Sequence, residues 1–131
     1  MKTLKHKHWY DEIYDVHYVF LLNISKDSQV NEILKKNYKH TYKYYKEQKN
    51  NHNVSIENSS GKNIQSRYRQ IILVRKMKKY DHAIWYGILA HECLHAMLYI
   101  FNDRGVKNDG TGYNEHFTYY LESLIRKSLE K

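Results

Sequence analysis

His91, Glu92 and His95 are the residues whose types and spacing could most plainly do chemistry. They stand in the run HECLH, inside the helix-length apolar stretch from Asp81 to Asn102. An α-helix turns once every 3.6 residues, so two histidines four apart project from one face, close enough to bind one metal ion. Zinc accepts neutral imidazole nitrogens at roughly 2.0–2.1 Å, and in a catalytic site it keeps a position for a water whose pKa falls to about 7. A glutamate beside the first histidine can take that water's proton, which is the physical reason for the spacing. With nine histidines in the chain, an accidental match has a probability on the order of a few per cent. Position lowers it further. Ile84, Ile88, His91, His95 and Leu98 fall on or beside one stripe, and Asn102-Asp103-Arg104-Gly105 follows as a helix-end signal.

Two histidines and a water are three ligands, and a tetrahedral zinc wants one more protein group. After Gly110 and Gly112, the run Tyr113 to Leu129 spaces Phe117, Tyr120, Leu121, Leu124 and Ile125 for an amphipathic helix, with Glu115 near its start. A carboxylate in a first turn is ordinary helix-dipole chemistry. The stretch between His95 and Glu115 is nevertheless long enough for a helix end, a loop and a return.

HExxH followed by Asn114-Glu115-His116-Phe117-Thr118-Tyr119-Tyr120-Leu121-Glu122 resembles the gluzincin metallopeptidases, whose aminopeptidase branch carries an N-E-G-F-A-x-Y-x-E element there. Asn114, Glu115, Phe117, Tyr120 and Glu122 match, while His116 and Thr118 depart. The resemblance implies that Glu115 is the third zinc ligand and that Glu122 orients a ligand histidine through a hydrogen bond. The chain's size and the run from His91 to Gly105 also resemble small metallopeptidase-like proteins of bacteriophages and mobile elements. His116 is a competing third ligand; it would give the all-histidine site of SprT-like proteases, which act on DNA-bound proteins. The match to N-E-x-F favours Glu115. Gluzincins also place a tyrosine or histidine against the oxyanion of the tetrahedral intermediate, and Tyr113, His116 and Tyr119 are the candidates.

At 131 residues the chain, residues 1–131, is expected to be a single domain, small for a peptidase with a separate specificity subdomain. One cysteine excludes an internal disulfide framework, and Cys93 reads as a small apolar residue on the motif helix. No stretch reads as a signal peptide or a membrane span, so a cytoplasmic protein of a bacterial host is expected. The net charge of +8 allows non-specific polyanion binding. Lys35, Lys36, Lys39, Lys43, Lys46 and Lys49 lie mainly opposite the apolar positions of one helix, as a solvated face should.

The elements that must position the motif follow from periodicity. Residues 1–13 read as a polar, mobile end carrying His6 and His8. Val16 to Leu22 reads as a strand, and Val30 to Glu47 keeps a helical rhythm. Val54 and Ile56 suggest a short strand before the turn Ser59-Ser60-Gly61-Lys62. Ile64 to Met77, centred on Gln70 to Val74, reads as the best strand; ending near Arg75, it is the candidate for holding an extended substrate, as the edge strand of zincins does. The expected fold is α+β: a small mixed or antiparallel sheet of three strands, one covering helix, and two C-terminal helices that together form the metal site. The expected activity is zinc-dependent hydrolysis of a peptide or protein substrate, with Glu92 as general base. The alternatives are a zinc-stabilised binding protein that cuts nothing and a DNA-associated protease.

Overall fold

The computed structural model describes residues 3–51, 54–107 and 115–130. Four strands, β1 (Lys5–Asp11), β2 (Val16–Ile24), β3 (Gly61–Gln65) and β4 (Arg69–Arg75), form one sheet in the order β1-β2-β4-β3. The helices are α1 (Asp27–Asn37), α2 (Lys39–Asn51), α3 (His82–Asp103) and α4 (Glu115–Leu129). The sheet is mixed: β2 and β4 run parallel in its centre, and β1 and β3 close its two edges antiparallel.

Both faces of the sheet are covered, which is why β2 and β4 are nearly continuous apolar runs. On one face Val16, Tyr18, Phe20, Leu22, Ile72 and Val74 pack against α3 and α4. On the other, Val19, Leu21, Ile71 and Leu73 pack against α1 and α2 through Val30, Leu34 and Tyr45. The period-two alternation of side chains along a strand divides one sequence run between the two cores.

Several sequence expectations are corrected here. The sheet has four strands, because residues 5–11 form β1, and His6 and His8 sit on a paired strand. The expected single helix over 30–47 is two helices meeting at Tyr38, whose φ of −139° and ψ of 70° leave the helical region. Val54 and Ile56 are buried in a loop and form no strand. The long strand 64–77 is a hairpin, β3 and β4, with Ser66-Arg67-Tyr68 as its turn. The strand ending at Arg75 is therefore interior, paired on both sides, and β3 is the edge.

α3 is fixed at both ends. Asp81 caps it by accepting from the Ile84 N–H at 3.1 Å, an N-cap arrangement contributing about 1 kcal/mol. At the other end Arg104 donates Nη2 to the Tyr14 carbonyl at 2.8 Å, and Gly105 turns the chain with φ 71°. Near its first turn, Trp85 is fully buried and donates Nε1 to Asn23 Oδ1 at 2.8 Å. Asn23 has φ 65° and sits where the β2–β4 register slips; asparagine tolerates that left-handed conformation better than most residues. By length and composition α3 could cross a membrane. In this fold its apolar residues Trp85, Leu89, Cys93, Ala96, Met97, Ile100 and Phe101 are part of the core against the sheet.

α4 is held on the same face by a buried polar chain. Tyr120 donates to Asp11 Oδ2 at 2.5 Å and shares a 2.7 Å hydrogen bond with the Tyr18 hydroxyl. The second oxygen of Asp11 accepts from the Ile13 and Tyr14 N–H groups. A buried carboxylate with those donors is satisfied; each such bond to a charged group contributes about 1.5–3 kcal/mol. Phe101 adds ring contacts to Phe117 and Tyr120 at 4.8 and 4.9 Å.

Candidate metal centre

His91, Glu92 and His95 all lie on α3, as the helical period requires, and their ligand atoms lie within 4.8 Å of one another. The two imidazoles are exposed, and their Nε2 atoms are 3.0 Å apart, with the rings at 86°. Two nitrogens each about 2.0–2.1 Å from a tetrahedral ion would be about 3.3–3.4 Å apart, so the pair needs only a few tenths of an ångström of adjustment. Imidazole nitrogen is a donor that suits zinc among the transition metals. The donor set fits a divalent ion of that kind, bound on a side open to solvent.

Glu92 differs from its two neighbours in burial: only 7% of it is exposed. Burial raises its pKa above the ordinary glutamate value, against opposing pulls from His91, His95 and Lys62. A carboxylate so placed is a better proton acceptor than an exposed one. Cys93, the next residue, faces the core, fully buried; burial, and to a lesser extent the charge of Glu92, pushes its thiol up to about 12. It packs as an apolar residue and stays protonated.

The element over Glu92 is the edge strand β3. Arg75 N donates to the Ser60 carbonyl and Ser66 N to the Arg69 carbonyl, each at 2.9 Å. In an antiparallel ladder, hydrogen-bonded and non-bonded pairs alternate. With that phase, residues 62 and 64 bond inward to β4, and the backbone groups of Gly61, Asn63 and Gln65 face outward. The Tyr44 hydroxyl takes the Gln65 carbonyl, while Gln65 Nε2 reaches the His95 carbonyl at 3.3 Å. Gly61 lies so close to α3 that a Cβ there would meet Ile88 Cγ2 at 2.7 Å and Glu92 Cγ and Oε2 at 3.0 and 3.1 Å. In the sequence Gly61 stands only as a residue of the Ser59-Ser60-Gly61-Lys62 turn. Its signal is a glycine at the first position of a strand, where a bare Cα permits close backbone approach.

The triad sits within α3, and among the described residues no side chain of α4 joins it. Glu115 opens α4, is exposed, and stands outside the His91-Glu92-His95 cluster. His116 is engaged elsewhere: its Nε2 is 2.6 Å from the Tyr14 hydroxyl, and its ring stacks on Phe101 at 5.1 Å. Glu122 is exposed and pairs with Arg126 at 3.8 Å, a bond of one helix face with itself. Tyr119 is 63% exposed. Tyr113 lies outside the described residues.

No protein-family model matches the chain, and no curated protein or solved structure matches it. The class is therefore defined by the fold and the site: a small α+β domain whose HExxH triad is compatible with a zincin-type metal site.

Proposed function

We propose that this protein is a zinc-dependent peptidase of gluzincin type. The observation that carries the reading is the pair of exposed imidazole nitrogens 3.0 Å apart beside a buried carboxylate, under the free edge of a sheet. His91 and His95 hold the ion, and Glu115 is assigned as the third ligand on its N-E-x-F match, with Glu122 as the carboxylate that orients a ligand histidine. Bound there, zinc would lower the pKa of a water and polarise the scissile carbonyl. Glu92 accepts the water's proton at its carboxylate and returns it to the leaving amine. The outward backbone groups of Gly61 and Asn63 hold an extended peptide by strand addition, which keeps the scissile bond over α3. Oxyanion stabilisation falls to Tyr113, His116 or Tyr119. A cytoplasmic setting in a bacterial host, and a bacteriophage or mobile-element source, belong to the same proposal.

A purely structural zinc needs four protein ligands closed around it. The exposure of both histidines speaks for the open alternative. The test is a peptide library incubated with zinc-loaded protein. New peptide termini should appear and should stop appearing when a chelator removes the metal. A library left intact at stoichiometric zinc would refute the reading.

A further inference from the structure

Two cavities meet beside Glu92. One, of about 400 Å³, is lined by Gly61, His91 and Glu92; the other, of about 420 Å³, by Arg75, Lys76, Lys78 and Lys79. Ser60, Ile84 and Ile88 belong to both, so the two form one cleft with the triad at one end and cations at the other. Its floor is apolar and open, with Ile84 55% exposed. Among the described residues, Glu92 is the only acid lining the cleft. Among the described residues Lys76, Lys78 and Lys79 form no ion pair. The Arg75 guanidinium donates to the Glu57 carbonyl at 2.7 Å and, among the described residues, forms no ion pair. Asp81, at the start of α3, accepts the Ile84 N–H through one carboxylate oxygen.

A run of lysines is ordinarily a solvated face. These four cations instead share a wall with an exposed apolar floor, in the segment that follows β4 beside the Ser60 end of β3. An apolar floor with a cationic rim fits a chain segment that pairs an apolar side chain with a carboxylate.

We propose that the cleft selects peptides bearing a carboxylate close to an apolar residue, with Ile84 and Ile88 seating the apolar side chain and Arg75, Lys76, Lys78 and Lys79 receiving the carboxylate. A peptide added antiparallel to β3 runs from the Gln65 end toward Gly61, so the carboxylate lies on the C-terminal side of the residue over Glu92. It is supplied either by an acidic side chain or by the peptide's own terminus. The inference deepens the peptidase reading and rests on it for the direction of the cleft.

The probe is a fluorescein-labelled ten-residue peptide of alanine and serine with one central leucine, amidated at its C-terminus. A single glutamate is moved along it one position at a time, and a further version keeps the free terminal carboxylate. Binding is read by anisotropy with the zinc-loaded Glu92→Gln protein, and cleavage with the wild type. Glutamate within a few positions C-terminal to the leucine should tighten binding about tenfold over the neutral peptide, and 0.5 M salt should shrink the difference. A Lys76→Gln/Lys78→Gln/Lys79→Gln variant should bring the acidic peptide down to the neutral peptide's affinity. If only the free-terminus version gains, the carboxylate source is the chain end; if internal glutamate gains, it is the side chain. Equal affinity for acidic and neutral peptides, a preference retained by the triple variant, or no binding of any version would overturn the proposal. Acid-selective binding without cleavage by the wild type would uphold the cleft and overturn the peptidase reading. Cleavage without acid preference would do the reverse.

Discussion

Glu92→Gln is expected to reduce peptide hydrolysis by about 10²–10⁴-fold while the protein keeps its zinc. The substitution is nearly isosteric and leaves the two imidazoles untouched, so the metal stays bound. It removes the group left to accept and return a proton once both imidazoles hold the ion, and general-base catalysis contributes typically about 10²–10⁴-fold. The position is buried, so a neutral amide there costs the fold nothing in charge desolvation, and thermal stability should hold or rise slightly. The measurement is kcat/KM for one cleaved peptide, with zinc content and Tm taken from the same preparations. Activity within about tenfold of wild type would remove Glu92 from the role of base.

Gly61→Val should lower kcat/KM by about 100-fold and destabilise the domain by about 1–3 kcal/mol. A single Cβ at this position already meets Ile88 Cγ2 at 2.7 Å and Glu92 at 3.0–3.1 Å. Ile88 is β-branched and stiff at χ1, so relief comes from pushing β3 off α3 or turning Glu92 away. Either outcome displaces the strand edge or the base by a sizeable fraction of an ångström. The check is chemical denaturation alongside steady-state kinetics. If both activity and stability match wild type, the close approach of β3 to Glu92 is not a functional feature.

The parts of this fold legible in the sequence are those with an unambiguous period. The α3 stretch has a capping aspartate, an apolar stripe and a glycine past its end; β2 and the centre of β4 are short β-branched runs. β1 was not legible, because an edge strand half-buried on one face and exposed on the other reads Lys-His-Lys-His-Trp-Tyr, with none of the apolar alternation that marks a covered strand. The break at Tyr38 has no glycine or proline to announce it. The β3–β4 hairpin turns through Ser66-Arg67-Tyr68, again without either residue, so two strands looked like one. Of the site, the three α3 residues followed from helical spacing alone. The partner strand did not, because Gly61 gains its meaning only from where α3 passes. Glu115 was placed by motif match, and no local periodicity reports how far a first-turn carboxylate stands from a preceding helix.

The claim that His91 and His95 act together on one ion is tested most directly by elemental analysis of protein purified without a histidine tag, loaded with zinc and dialysed. The account predicts a stoichiometry of about one zinc per wild-type chain, lost in His91→Ala and in His95→Ala. Wild-type protein that carries no zinc, or a His91→Ala/His95→Ala double variant that still carries it, would contradict the account.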